Sequence, residues 1–135
     1  MTAGDGIVLE VLAERLAIVR LSPGQAIPVW AWQGKLVSVI RTEDELSVVC
    51  SEAAIPAGTV AALGWCAFKV RGPLSLELTG VLSSLVQPLA ARQIPVFVLS
   101  TFDTDYVLVR ANDVSSAVAA LEASGHRVCR DARTT

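Results

Sequence analysis

The chain has 135 residues, a formal net charge of −2, 18% charged and 53% apolar residues, which suits one compact domain or two small modules sharing a core. Its mean hydropathy of +0.54 leaves much apolar surface to be covered, and this favours assembly with a second copy. An acidic balance, no Lys/Arg cluster and 5% aromatics argue against nucleic-acid binding, and the uncharged runs 53–68 and 78–91 are too short and too interrupted by Pro and Gly to span a bilayer.

Residues 1–6 lack a basic segment ahead of an apolar one, so no secretory leader is expected and the location expected is cytoplasmic. Residues 7–13 read as a strand that finds no partner in the pattern. Residues 16–21 (LAIVRL) predict a strand ending at Ser22-Pro23, and a helical turn follows around 26–33. Residues 37–42 and 46–50 predict a hairpin across Glu43-Asp44-Glu45, with Arg41 and the three acids as a solvated tip. A short helical piece within 53–63 is weakened by Pro56 and Gly58.

The second half has clearer signals. Residues 64–71 (GWCAFKVR) predict a strand. In 75–91, Leu78, Val81, Leu82, Leu85, Val86 and Leu89 have helical spacing; Ser75 then reads as an N-cap, and Pro88 as a kink or break. Val96-Phe97-Val98-Leu99 and residues 105–110 (DYVLVR) form strands joined by a tight turn. Asn112 or Asp113 caps a second helix with Val114, Ala117, Val118 and Leu121 on one face; Gly125 stops it, and 126–130 is a last strand.

The order βαββαβ predicts an α+β, ferredoxin-like sandwich with helices on one face of an antiparallel sheet. The first half repeats this plan in worn form: the strand end at Ser22-Pro23 matches Arg71-Gly72-Pro73, and Val39-Ile40-Arg41-Thr42 matches Val98-Leu99-Ser100-Thr101. The second match is spaced more widely than the first, as a shorter first helix would require. Two tandem modules follow, residues 1–62 and 63–135, neither able to bury its faces alone.

The polar string Ser100-Thr101-Phe102-Asp103-Thr104-Asp105 carries most of the chemistry. Asp103 and Asp105 would need a nucleophile or metal to act as acid and base, and neither is evident. His126 is the chain's only histidine and reads as a surface or cap residue past a helix end. Asp103 suits a turn, whereas Asp105 opens a strand, where Asp is disfavoured, and this points it at a ligand. The hydroxyls of Ser100 and Thr101 satisfy local backbone or face the ligand. Gly80 marks either close helix–sheet packing or a close ligand approach. Trp30 and Trp32 are core or interface residues. Cys50, Cys66 and Cys129, without a CxxC pair, read as reduced core residues.

Several stretches resemble a known family. Gly64-Trp65, Lys69-Val70, Gly72-Pro73-Leu74, Leu78-Thr79-Gly80, Pro88-Leu89-Ala90 and the string from Ser100 through Asp105-Tyr106-Val107-Leu108-Val109 are similar to small bacterial tandem ACT-domain proteins. These are relatives of aspartate kinase ACT modules and of the CASTOR-type arginine sensors. Ile27-Pro28, Trp30-Ala31, Ser38-Val39, Arg41-Thr42 and Glu45 to Cys50 extend the likeness over residues 16–128. The resemblance implies paired ACT modules, the first degenerate, dimerisation, and a small-molecule ligand, usually an amino acid, bound between modules without a cofactor or metal. It implies that Leu74, Ser75, Leu76, Glu77, Thr79 and Gly80 meet the ligand's α-carboxylate or α-amine, that Phe102 lies along its stem, and that Asp105 takes a cationic group. Gly72, Ser100 and Thr101 complete the lining. Ser75 stands where relatives often carry an acid, so a basic amino acid does not follow automatically.

The leading expectation is therefore a non-catalytic sensor or regulatory protein. The rivals are a protein-interaction module that binds no ligand, and a small enzyme such as an acylphosphatase. The last would need an Arg-bearing phosphate cradle and a positioned Asn, and the sequence offers only Asn112.

Overall fold

The computed structural model describes residues 6–130, so the leader reading of 1–6 falls, Gly6 apart, outside the described residues. In chain order the elements are β1 (Val8–Val11), β2 (Leu16–Leu21), β3 (Ser38–Arg41), β4 (Leu46–Ser51), β5 (Ala62–Val70), α1 (Val81–Ala91), β6 (Phe97–Ser100), β7 (Asp105–Arg110), α2 (Val114–Ala123) and β8 (Arg127–Arg130). Single 3-10 turns lie at Val29–Trp32, Glu52–Ala54 and Ala111–Asp113. Two compact units result, one of Glu14–Trp65 and one of residues 6–13 with 66–130. A single cut after residue 62 was expected; instead the N-terminal strand belongs with the C-terminal unit, and β5 gives its first residues to one unit and its last to the other.

In the 14–65 unit the hydrogen-bonded order is β3-β4-β2-β5, antiparallel throughout. Its βαββαβ plan is present, with both helices reduced to 3-10 turns. Ala17, Val19, Leu46, Val48 and Cys50 form its core with Ala31, and Trp30 packs at the edge; Trp32 is 57% exposed. Arg41 is exposed at the hairpin, as expected, and its side chain is also engaged. Its guanidinium donates to the Gln25 carbonyl at 2.9 Å and to that of Pro23, because the loop after β2 has no ladder to satisfy those carbonyls.

The other unit is ordered β6-β7-β5-β1-β8. The strand without an expected partner is central: β1 runs antiparallel to β5, with Leu9 opposite Val70, and parallel to β8, with Leu9 opposite Val128. Helices α1 and α2 cover one face. Val81, Leu85 and Leu89, spaced by four, and Ala117, Ala120 and Leu121 bury against Ile7, Leu9, Val11, Phe68, Val70, Val107 and Val109. Both helices end alike: Ile94 N–H bonds the Leu89 carbonyl at 3.0 Å and His126 N–H that of Leu121 at 3.1 Å, the long closing bond of a Schellman turn.

Three expectations for this unit are corrected. Helix α1 begins at Val81, not at Ser75, because Gly80 sits at φ 81° as its N-cap and cannot continue a right-handed helix. Pro88 does not end α1, which runs on to Ala91. His126 is buried, at 8% exposure. Cys50 and Cys66 are buried as read, whereas Cys129 is half-exposed; none of the three is in a disulfide. No helix among the described residues is long and apolar enough to cross a membrane.

Candidate functional site

The site is built where β5 leaves the sheet and the β6–β7 turn comes up beside it. Leu74 N–H donates to the Asp103 carbonyl at 2.6 Å. The turn closes on itself, since Thr101 N–H bonds the Thr104 carbonyl at 2.8 Å, and Thr101 Oγ1 accepts from Thr104 N–H at 3.2 Å. Thr104 then donates its hydroxyl to the Val70 carbonyl at 2.6 Å. At 6% exposure, this bond anchors the turn to the end of β5. Ser100 Oγ donates to Asp105 Oδ1 at 2.6 Å, a charge-assisted bond that fixes the carboxylate at the strand's start. Ser75 is not an N-cap: its Oγ accepts from Glu77 N–H at 3.2 Å, a turn within the loop before α1.

Two cavities flank the turn. The first, of about 160 Å³, is lined by Leu74, Ser75, Leu76, Leu78, Val81 and the whole stretch from Ser100 to Asp105. The second, of about 380 Å³, is lined by Lys69, Gly72, Pro73, Thr101, Asp103, Thr104 and Tyr106. Only the second falls within the ~300–1,000 Å³ usual for small-molecule pockets. Of the residues expected to bind, the structure brings Leu74, Ser75, Leu76, Ser100, Thr101, Phe102 and Asp105 around the first cavity, and puts Gly72 on the second. Glu77, Thr79 and Gly80 line neither. Phe102, 78% exposed, and Leu76, 69% exposed, stand uncovered at the first cavity.

The sequence reading missed Thr104, Lys69 and Tyr106. A usable signal was present: Thr104 is a small polar residue beside a strand end, and Lys69 and Tyr106 alternate with the core positions Phe68, Val70 and Val107. Electrostatically the cavities differ. The first has two acids and no Lys or Arg in its lining, whereas the second has one of each sign. Among the described residues no group of three or more His, Cys, Asp and Glu is placed to hold a metal. Asn112 lies in the 3-10 turn before α2 and lines neither cavity.

Strand order and helix placement define an ACT-type, ferredoxin-like fold. Residues 60–123 match the family model of the ACT domain, and residues 14–58 match a second model described as an N-terminal domain. The chain is a small ACT-domain protein. A crystal structure from Agobacterium tumefaciens is similar over 93% of this chain and 94% of its own, at 41% identity and a TM-score of 0.88. A Vibrio cholerae protein, described as of unknown function and a possible transport protein, has 17% identity and a TM-score of 0.74, over 92% of this chain and 93% of its own. The regulatory subunit of aspartate kinase from Thermus thermophilus, in a ligand-free form, shares the fold at 12% identity and a TM-score of 0.58, over 82% of this chain and 93% of its own.

Proposed function

We propose that the chain is a non-catalytic regulatory protein that binds an amino acid or a similar small metabolite against the 101–104 turn. In the assembled state two copies of the chain would close the site between ACT modules. The observation that carries this is the first cavity, where the loop before α1 and the β6–β7 turn converge, held together by the Leu74–Asp103 bond. Asp105, oriented by Ser100, suits an ammonium group, and Phe102 and Leu76 suit an apolar stem. Fold likeness to an aspartate kinase regulatory subunit supports the regulatory reading. Ligand binding across an interface would act by favouring the assembled arrangement.

The test is thermal unfolding against a panel of the twenty amino acids at millimolar concentration, with Asp105→Asn as control. A ligand at about 100 times its Kd stabilises by ~2.7 kcal/mol, enough to read as a clear shift. A shift with one or a few amino acids, weakened in Asp105→Asn, is expected; no shift with any of them overturns the reading. The exposure of Phe102 and Leu76 favours one other function, docking of a protein partner without a ligand. That function predicts a partner complex that survives Asp105→Ala and that no small molecule competes away.

A further inference from the structure

The second cavity lies on the side of the sheet away from α1 and α2. Phe68 and Val70 pack into the core beneath the helices, so strand alternation turns Lys69 to the opposite face, and Tyr106 is turned there by the burial of Val107. Lys69 is half-buried. Its register neighbour across β1 is Glu10, but that carboxylate is engaged by Arg71 at 3.2 Å. Among the described residues nothing else pairs with the Lys69 ammonium.

Lys69, a half-buried residue whose ammonium has no ion-pair partner among the described residues, stands on the wall of a cavity of about 380 Å³, where a bound carboxylate would gain a charge-assisted hydrogen bond. Asp103 also lines the cavity, Tyr106 contributes a phenol and Pro73 an apolar wall. A dianion would meet repulsion at Asp103 and a simple cation repulsion at Lys69, whereas a zwitterion satisfies both. We infer that this cavity is a second binding site, for a small zwitterion whose carboxylate sits on the Lys69 ammonium and whose own ammonium faces Asp103. It differs from the cavity invoked above: Lys69, Gly72, Pro73 and Tyr106 line it and not the first, while Thr101, Asp103 and Thr104 border both.

The test follows ring resonances by NMR in the full chain. Tyr106 is the only tyrosine, so its signals report the second cavity, and Phe102 reports the first. Wild type, Lys69→Met, Lys69→Arg and Asp105→Asn are titrated with single L-amino acids, acetate and methylammonium. At least one amino acid moves Tyr106 in wild type and in Asp105→Asn. Lys69→Met weakens that response about tenfold or more, Lys69→Arg keeps most of it, and acetate and methylammonium bind more weakly than the amino acid. Tyr106 unmoved by every amino acid, or Lys69→Met binding like wild type, overturns the inference. Loss of response at Phe102 with Tyr106 intact counts against the first cavity alone.

Discussion

The imidazole of His126 stands 3.0 Å from the Ser84 carbonyl, the one carbonyl of α1 that Pro88, four residues on and lacking an N–H, cannot serve. The other ring nitrogen, Nδ1, accepts from Ile7 N–H at 3.1 Å, so the proton resides on Nε2 and is donated to Ser84. One buried side chain thus replaces the missing helix bond and fixes the start of β1.

His126→Ala leaves the Ile7 amide and the Ser84 carbonyl without partners, at a cost of about 1–3 kcal/mol for each buried group. Restoring the amide with Pro88→Ala gives Ser84 its own helical donor. Pro88→Ala should therefore recover part of the loss caused by His126→Ala, and a double-mutant cycle in urea should give a clear coupling energy. Strict additivity would show that the imidazole does not substitute for the helix bond.

Thr104→Val keeps shape but removes the donor to the Val70 carbonyl at 2.6 Å. Stability should fall by about 1–3 kcal/mol, with Thr104→Ser retaining most of it. Because Thr104 lines both cavities, any amino-acid response at Tyr106 and Phe102 should weaken together in the valine variant and persist in the serine one.

A methyl group on Gly6 would lie 2.5 Å from the Gly125 carbonyl oxygen, closer than packed atoms allow, so Gly6→Ala should displace the start of β1. The expected loss is about 1–3 kcal/mol. Hydrogen exchange should show it locally, at the Arg127 amide that bonds the Ile7 carbonyl at 2.9 Å, before the 14–65 unit is affected. Unchanged protection at Arg127 would contradict this.

Burial first, and the Glu14 carboxylate second, push the Cys50 thiol up from its ordinary value of 9.0. A folded state that holds the proton more tightly is favoured fully below the unfolded pKa and loses that advantage as pH rises through the folded one. Wild type should lose more melting temperature than Cys50→Val between roughly pH 8 and pH 10; parallel curves would refute it. In the native protein a disulfide reagent should modify half-exposed Cys129 ahead of buried Cys50 and Cys66.

Most strands could be read from sequence because each is an apolar run bounded by Gly, Pro or acids. The βαββαβ order then followed, whereas the placing of the loop before α1 and the Ser100–Asp105 string at one site came from the family resemblance. The start of α1 was misplaced because Leu74 and Leu78 continue its apolar spacing into the loop, where they pack at the edge of the same core. Only the backbone at Gly80 breaks the helix. The partners of β1 were invisible because pairing with β5 and β8 is non-local and a strand's own residues do not encode it. Lys69 escaped notice because a single lysine on a strand is ordinary; what singles it out is that Arg71 has taken its nearest carboxylate.

The position of β1 also bears on how the protein is made. The ribosome releases this strand well before one of its two neighbours, β8, and the hydrogen bonds of Ile7 wait for His126 and Arg127, about 120 residues on. Until then a nascent chain carries an apolar strand with an open edge. A fragment beginning at residue 60 would carry the complete match to the ACT family and still leave a gap one strand wide between β5 and β8. Supplied as a separate peptide, residues 6–13 should fill that gap in trans.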